Sequence, residues 1–193
     1  MKSTMERPES YTEIKKIDIQ KDKKTALLLH GLSLLLMVLM VLAAHCFVPI
    51  TTLLDWSVGP LVYFVRPAVL LAGMFLYIFL RELTHGFFIR LLSGSRAHYG
   101  FAGLYIYAGS KAYFDKKSYL IIDLVPLLLC TVVILILNCV VPISWFWVVY
   151  IIQIINVSGA PGSFYVDCKL ARMPKDLLIQ DMGVSMTIYS CTK

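Results

Sequence analysis

The chain has 193 residues, of which 59% are hydrophobic and only 16% are charged, and its formal net charge is +6 at pH 7. A soluble domain carries about 25% charged residues, whereas uncharged runs of about 20 residues are typical of membrane-spanning helices. The composition therefore removes secreted, cytosolic and nucleic-acid-binding proteins from the leading interpretations. It predicts a mainly α-helical, polytopic membrane protein whose positive charge contacts lipid head groups.

The chain opens with a polar N-terminal segment, residues 1–24, which carries seven lysine or arginine residues against five acidic ones. It is too long to be the basic region of a cleavable signal peptide, so we expect a solvated, amphipathic cytoplasmic lead-in. The first apolar run follows at residues 25–48. At about 1.5 Å per residue, it is long enough to cross a hydrocarbon core of about 30 Å.

Three further apolar runs predict three more membrane helices. The second run extends over residues 67–92, and Pro67 suits a first helical position. The third run covers residues 119–141, and the fourth, at residues 142–157, is short but opens with tryptophans suited to a membrane interface. The sequence therefore predicts about four transmembrane helices.

The distribution of lysine and arginine outside these runs predicts the orientation. The counts are seven before the first run, one before the second, five before the third when Arg90 at the end of the second run is included, none before the fourth and four after it. Because cytoplasmic loops are enriched in positive residues, both termini are expected in the cytoplasm of a multi-pass plasma-membrane protein. We expect a membrane domain over residues 25–163, with a cytoplasmic loop at 93–117, and a cytoplasmic tail over residues 164–193.

Two cytoplasmic segments have the pattern of β-strands. The loop at residues 93–117 places aromatic side chains at mostly alternate positions among glycines, and apolar residues also alternate in the tail over residues 177–189. Because both segments lie on the same predicted side, we expect them to pair into a small cytoplasmic β element on the membrane surface.

Polar side chains inside the predicted helices lie at similar depths. His30, His85 and Asp123 each follow or precede a cytoplasmic basic residue by five or six positions, and Arg81 with Glu82 lies about one turn deeper than His85. Charged groups in spanning helices are costly and usually functional, so this layer predicts a polar cavity open to the cytoplasm. An alternative is that Arg81 pairs with Glu82 or Asp123 and simply links helices.

Residues 81–85 read RELTH, one substitution from the HExxH motif. In that motif two histidines, four residues apart on a helix, bind zinc, and the glutamate activates the zinc-bound water. Because ExxH alone is common in proteins, the near match needs support from the rest of the chain.

The order of motifs along residues 26–189 gives that support. RELTHG in the second helix is followed by a glycine- and tyrosine-rich stretch at 100–108, a helix with central Pro126, NVSGAPG at 156–162, MPKD at 173–176 and QDMG at 180–183. This order resembles the DUF3267 family of zincin peptidases, which is itself similar to site-2-protease-type intramembrane metallopeptidases. The resemblance implies a bacterial multi-pass membrane protein with a zinc site in the bilayer that hydrolyses membrane-associated peptides.

The sequence departs from that family at two ligand positions. Arg81 stands where the family has its first histidine, and a guanidinium stays protonated and cannot ligate zinc. Ser163 stands where the family usually has an acidic third ligand; it is alternatively the N-cap of a helix beginning at Phe164. His85 remains as a ligand and Glu82 as the general base. Because catalytic zinc normally needs three protein ligands, zinc is expected to be absent.

The leading hypothesis is thus a pseudo-peptidase that binds a membrane-associated peptide or protein, with the guanidinium of Arg81 in the place of the metal. A second hypothesis is an active zinc metallopeptidase that uses Glu82 as base and builds its site from His85 and unusual ligands. Its candidate additional ligands are His30, Asp123 and Asp167. A small transporter with a path along the buried charges is the third, although no inverted repeat supports it.

Overall fold

The computed structural model describes residues 3–17, 22–102, 105–183 and 185–191. Most of these residues are helical, as the sequence predicts. The α-helices are α1 (Lys23–His45), α2 (Pro60–Ser93), α3 (Lys116–Val140), α4 (Phe146–Ser158) and α5 (Pro161–Ala171). Short 3-10 helices cover Ile50–Leu54, Trp56–Val58 and Ile143–Trp145.

Four helical stretches are long and apolar enough to span a membrane, which confirms the predicted number. The second stretch differs from the prediction because α2 begins at Pro60 rather than at Pro67. Pro60 takes the first helical position, where the N–H that proline lacks would have no partner within the helix. Pro67 lies inside α2, as membrane helices tolerate.

The fourth stretch is longer than the predicted run at residues 142–157, since it extends over Ile143–Ala171 as α4 followed by α5. Pro161 cannot donate a backbone hydrogen bond, which explains why α4 ends and a new helix starts there. Ser163 is consequently inside the first turn of α5. The prediction that it caps a helix beginning at Phe164 is wrong.

The outer faces of the helices are strongly apolar. Only 6% of the most hydrophobic window of α1 is buried. Large apolar side chains such as Leu27, Leu34 and Phe75 are exposed along the helices. A contiguous apolar surface of this kind is unfavourable in water and is typical of helices surrounded by lipid.

The chain divides into two compact units. The helix unit comprises residues 29–79 and 127–161. In its interior, Asn156 links three helices, because its Oδ1 accepts from the hydroxyl of Tyr77 at 3.0 Å and its Nδ2 donates to Oγ1 of Thr131 at 2.8 Å. Trp147 is also buried there, and its indole N–H donates to the carbonyl of Pro49 at 3.1 Å.

The sheet unit comprises residues 1–28, 80–126 and 162–193. Its strands are β1 (Ser3–Thr4), β2 (Tyr11–Ile17), β3 (His98–Ala102), β4 (Tyr105–Gly109), β5 (Tyr113–Asp115), β6 (Leu177–Asp181) and β7 (Met186–Cys191). Five of them form an antiparallel sheet in the order β1-β5-β6-β7-β2, and β3 and β4 form a separate hairpin. The predicted pairing of the loop with the tail is confirmed, since Tyr113 pairs with Gln180.

The N-terminal segment differs from the predicted solvated lead-in, because β2 is a strand at the edge of the sheet. It pairs with β7, with Lys15 opposite Ile188. An edge strand needs only backbone hydrogen bonds on one side, and its charged side chains discourage pairing with other molecules. The sequence of β2 therefore lacks the apolar alternation by which a half-buried strand is recognised.

The core of the sheet unit positions the acidic residues of the helices. Ile122 of α3 and Val166 of α5 are buried in it together with Phe114, Ile179 and Ile188 of the sheet. Asp123 and Asp167 are the residues that follow Ile122 and Val166 along the chain. Apolar packing at these neighbouring positions thus fixes the two carboxylates beside the core.

Candidate active site

The C-terminal half of α2 carries the residues of the RELTH motif. Nη1 of Arg81 donates to Oε1 of Glu82 at 3.1 Å, and the two side chains are 31% and 10% exposed. The predicted pairing of Arg81 with Glu82 is confirmed. Its consequence is that the charge of Glu82 is already neutralised by a side chain of the same helix.

The second carboxylate oxygen of Glu82 anchors the β3–β4 hairpin. The backbone N–H of Ala108 in β4 donates to Oε2 of Glu82 at 3.0 Å, and Ala108 is buried. One turn further along α2, Gly86 has no side chain, and the hydroxyl of Tyr99 lies where a Cβ would otherwise be. Glu82 and Gly86 together hold the hairpin against α2.

His85 has no hydrogen-bond partner among the residues that the structure describes. A histidine that ligates zinc usually donates its other ring N–H to an acceptor, which orients the imidazole. Arg81 lies four residues earlier, on the same face of α2, and interacts electrostatically with His85. A guanidinium in this place opposes the binding of a second cation at the imidazole.

Asp123 and Ser163 connect α3 to α5. Oγ of Ser163 donates to Oδ1 of Asp123 at 3.1 Å, so the hydroxyl at the third ligand position contacts a carboxylate. The other oxygen, Oδ2 of Asp123, is buried and has no hydrogen-bond partner within the described ranges. Asp123 interacts electrostatically with both Arg81 and Glu82, which places α2 and α3 around one polar site.

Asp167 lies one turn after Ser163 on α5 and is only 6% exposed. Neither of its carboxylate oxygens has a hydrogen-bond partner in the described part of the chain, and the group interacts electrostatically with Asp123. The sheet unit thus brings Asp167 together with Arg81, Glu82 and Asp123. His30 lies in α1, in the helix unit, and its role as a ligand stays a prediction.

Asp181, which closes strand β6, is a further acidic residue of this site that was not predicted from the sequence. Its Oδ2 accepts from the hydroxyl of Tyr119 at 3.3 Å, and its Oδ1 accepts from the N–H of Gly183 at 2.7 Å. It interacts electrostatically with Asp123 and Glu82. The available signal was an acidic residue at the end of an apolar strand, followed two positions later by a glycine. That pattern predicts an Asx turn, and Gly183 indeed has a φ of 86°.

We call Glu82, Asp123, Asp167 and Asp181 the carboxylate cluster. Burial raises the pKa of Asp181 from 3.8 to about 6, and the charges of Asp123 and Glu82 act in the same direction. The folded state therefore binds this proton more tightly than the unfolded state. Stability from this group is highest below pH 4 and falls as the pH rises to about 6, above which the loss is complete.

The Asp181→Asn variant should remove this pH dependence. At pH 7 we expect it to be more stable than the unaltered protein by up to about 3 kcal/mol, because the ionised carboxylate is no longer buried. The difference should shrink as the pH falls from 6 to 4, and thermal unfolding in detergent at several pH values measures it. Asp176→Asn, at an exposed position, is the control. If the Asp181→Asn protein had the same pH profile of stability as the unaltered protein, the raised pKa of Asp181 would not be the cause of the pH dependence.

The residues present do not fit a catalytic zinc of the HExxH type. Arg81 fills the first ligand position and is paired with Glu82, while Ser163 at the third position contacts Asp123 instead. Within the described residues, no three His, Cys, Asp or Glu side chains converge in a metal-binding geometry. Instead, the guanidinium of Arg81 pairs with Glu82 and interacts electrostatically with Asp123.

Comparison with known proteins finds a family match over part of the chain. Residues 74–178 match the family model DUF3267, whose description is "Putative zincin peptidase". The matched region runs from the middle of α2 through the hairpin, α3, α4 and α5 into β6, and so includes the whole RELTH motif and Ser163. No curated protein and no solved structure matches the chain. Because the match covers more than half of the 193 residues, the chain belongs to the DUF3267 family.

Proposed function

We propose that this protein is a membrane-embedded pseudo-peptidase that binds a membrane-associated peptide or protein without cleaving it. The observation that carries the proposal is the ion pair of Arg81 with Glu82 at 3.1 Å, formed where the family's HExxH motif would hold zinc. Glutamate in that pair accepts hydrogen bonds from a guanidinium and a backbone N–H. It is therefore a structural anchor rather than a base aimed at a metal-bound water.

The carboxylate cluster explains why a cation is kept at residue 81. Burying several carboxylates is costly unless positive charge or hydrogen bonds compensate for the lost water. Arg81 interacts with Glu82 and Asp123, and its guanidinium stays charged at every physiological pH. A permanent side-chain cation thus takes over the charge balance that a zinc ion would otherwise supply.

The β3–β4 hairpin offers the binding surface. Within the described residues β3 pairs only with β4, so its outer edge presents free backbone N–H and C=O groups. Tyr99 and Phe101 of β3 are 52% and 80% exposed. An extended peptide can add a strand at such an edge, with main-chain hydrogen bonds giving affinity and aromatic contacts giving selectivity.

The proposal includes membrane insertion, with both termini in the cytoplasm. Four helices of sufficient length and their apolar outer faces support insertion. The alternation of connecting segments that are rich and poor in lysine and arginine supports the orientation. In this orientation the hairpin and the carboxylate cluster lie at the cytoplasmic boundary of the bilayer, where a membrane-anchored peptide would reach them.

A second candidate function is an active metallopeptidase with a rebuilt ligand set. The observation in its favour is that Asp167 has two buried oxygens, and Asp123 one, without a hydrogen-bond partner among the described residues. With His85 they carry the nitrogen and oxygen donors that zinc accepts, but the three side chains would have to move closer together to bind one ion. This candidate requires that cleavage be sensitive to chelators and depend on Glu82.

Photo-crosslinking from the hairpin separates the two functions. The photoreactive residue p-benzoylphenylalanine replaces Phe101 in the full chain. Irradiation of bacterial membranes that contain this variant then forms crosslinked adducts with neighbouring proteins. The experiment is repeated with a chelator and in the Glu82→Gln background. A pseudo-peptidase should give the same adducts, carrying a full-length partner, in all three conditions, because neither zinc nor Glu82 acts on the partner.

The control places the same photoreactive residue at Phe47, which is 86% exposed in the helix unit. Adducts common to both positions reflect collisions in the membrane and do not count. Full-length adducts that accumulate only after Glu82→Gln or chelation would show that the partner is normally cleaved, and would replace the proposal with the active metallopeptidase. A complete lack of Phe101-specific adducts would contradict peptide binding at the hairpin.

A further inference from the structure

We propose that the protein has a built binding site for the phosphate of an anionic lipid, at the C-terminal end of α2. A cavity of about 340 Å³ lies there, in the sheet unit, between α2 and the start of β3. Its lining combines apolar, aromatic and basic side chains, namely Leu83, Phe87, Arg90, Arg96 and Tyr99. The inference rests on membrane insertion, as proposed above, and does not depend on whether the protein binds zinc.

Two guanidinium groups supply the charge of this cavity. Arg90 belongs to the last turn of α2, and Arg96 lies beyond its end at Ser93. Neither forms an ion pair with a carboxylate of the described ranges, and both side chains are exposed. A guanidinium binds phosphate oxygens in a bidentate manner, so two of them beside one cavity complement a phosphate better than two lysines would.

The apolar part of the lining continues along the outer face of α2. Leu80, Leu83 and Phe87 are exposed, and their spacing of three and four residues puts them on one side of the helix. Arg90, three residues after Phe87, ends this stripe at the polar boundary. An acyl chain lying along the stripe would therefore bring its head group to Arg90 and Arg96.

Tyr99 forms the opposite wall of the cavity. Its hydroxyl lies against Gly86, where any larger residue would collide with the ring, so the tyrosine is held close to α2. Tyrosine is favoured at the interface between hydrocarbon and head groups, because its ring is apolar and its hydroxyl polar. The cavity can hold a phosphate and its glycerol but not the tails, which would leave along the stripe. A lipid would contact both the basic cavity and the apolar stripe of α2, whereas free phosphate would contact only the cavity. A lipid is therefore the expected occupant.

The test counts lipids bound to the full chain. The protein is extracted in a mild detergent and titrated with phosphatidylglycerol or phosphatidylcholine, and bound lipid is measured by native mass spectrometry. The unaltered protein should prefer phosphatidylglycerol. The double variant Arg90→Gln, Arg96→Gln should lose about tenfold or more of its affinity for phosphatidylglycerol. The weaker binding of phosphatidylcholine should not change, because the two guanidinium groups repel its choline cation and keep its phosphate out of the cavity. Unchanged binding of the neutral lipid also shows that the variant is folded.

The matched control is the double variant Arg172→Gln, Lys175→Gln, which removes the same charge from exposed positions elsewhere in the sheet unit. An equal loss in this control would overturn the proposal, since net charge alone would then explain the preference. Inorganic phosphate is the second probe, and its binding in place of the lipid at equal concentration would also overturn it. If the Arg90, Arg96 variant does not fold, Arg96→Gln alone, outside the helix, must still lower the affinity for phosphatidylglycerol.

Discussion

A variant that carries Arg81→His together with Ser163→Asp should bind about one equivalent of zinc, with His85 and the two introduced side chains as its three protein ligands. Histidines at positions 81 and 85 would be one turn apart on α2, and an aspartate at position 163 would sit in the first turn of α5. Zinc would restore the positive charge that the substitution of Arg81 removes. The metal content of the purified variant, measured by elemental mass spectrometry, tests this expectation.

The two single variants provide the controls for this result. Arg81→His alone lacks the third ligand, and Ser163→Asp alone keeps the guanidinium beside His85. The carboxylate introduced by Ser163→Asp would also lie next to Asp123, since Ser163 now contacts it at 3.1 Å, so this single variant should be less stable without a cation. Neither single variant is expected to bind zinc tightly. A double variant without zinc, although folded, would contradict descent of this site from a zinc site.

Arg81→Met should be the most destabilising single substitution in the RELTH motif. It would leave Glu82, whose side chain is 10% exposed, without its cation. Removing one partner of a buried pair costs about 3–5 kcal/mol, and the partial exposure of Arg81 puts the expected loss near the lower end, at about 3 kcal/mol. Thermal and denaturant unfolding in detergent measure this loss.

A double-mutant cycle with Glu82→Gln isolates the contribution of charge. Glutamine can still accept the N–H of Ala108 through its amide oxygen but carries no charge that needs Arg81. Adding Glu82→Gln to Arg81→Met should therefore recover much of the lost stability. Arg172→Met is the matched control at an exposed position and should change stability by less than about 0.5 kcal/mol. Equal losses in both arginine variants would show that Arg81 has no special partner.

The length and low charge of the apolar runs were enough to predict the four helices, because a helix that spans a bilayer needs about 20 consecutive, mostly apolar residues. The bounds of the helices depend on local chemistry that composition does not resolve. Both Pro60 and Pro67 suit a first helical turn, and the structure begins α2 at the earlier one. Likewise Pro161 separates α5 from α4, which turned the expected N-cap at Ser163 into a residue of the helix.

The sheet and the acidic site were predicted only in part, because both depend on contacts between distant segments. Pairing of β5 with β6 followed from two strand patterns on the same predicted side of the membrane. Strand β2 was not predicted, because the sequence of an edge strand with several lysines resembles that of a solvated segment. Asp181 was not predicted as a site residue, because it is more than 50 residues away from Asp123 and Glu82 in the sequence. Only the fold brings it into electrostatic range of them.

The zinc content of the unaltered protein tests most directly the claim that Arg81 has replaced the metal. The full chain is purified in detergent without chelators, and zinc is measured by elemental mass spectrometry against protein concentration. If Arg81 has replaced the metal, the zinc content is far below one equivalent, and a chelator leaves the thermal unfolding temperature unchanged. Zinc at about one equivalent, removed by a chelator with a loss of thermal stability, would show that Arg81 has not replaced the metal and would identify a ligand set built on His85.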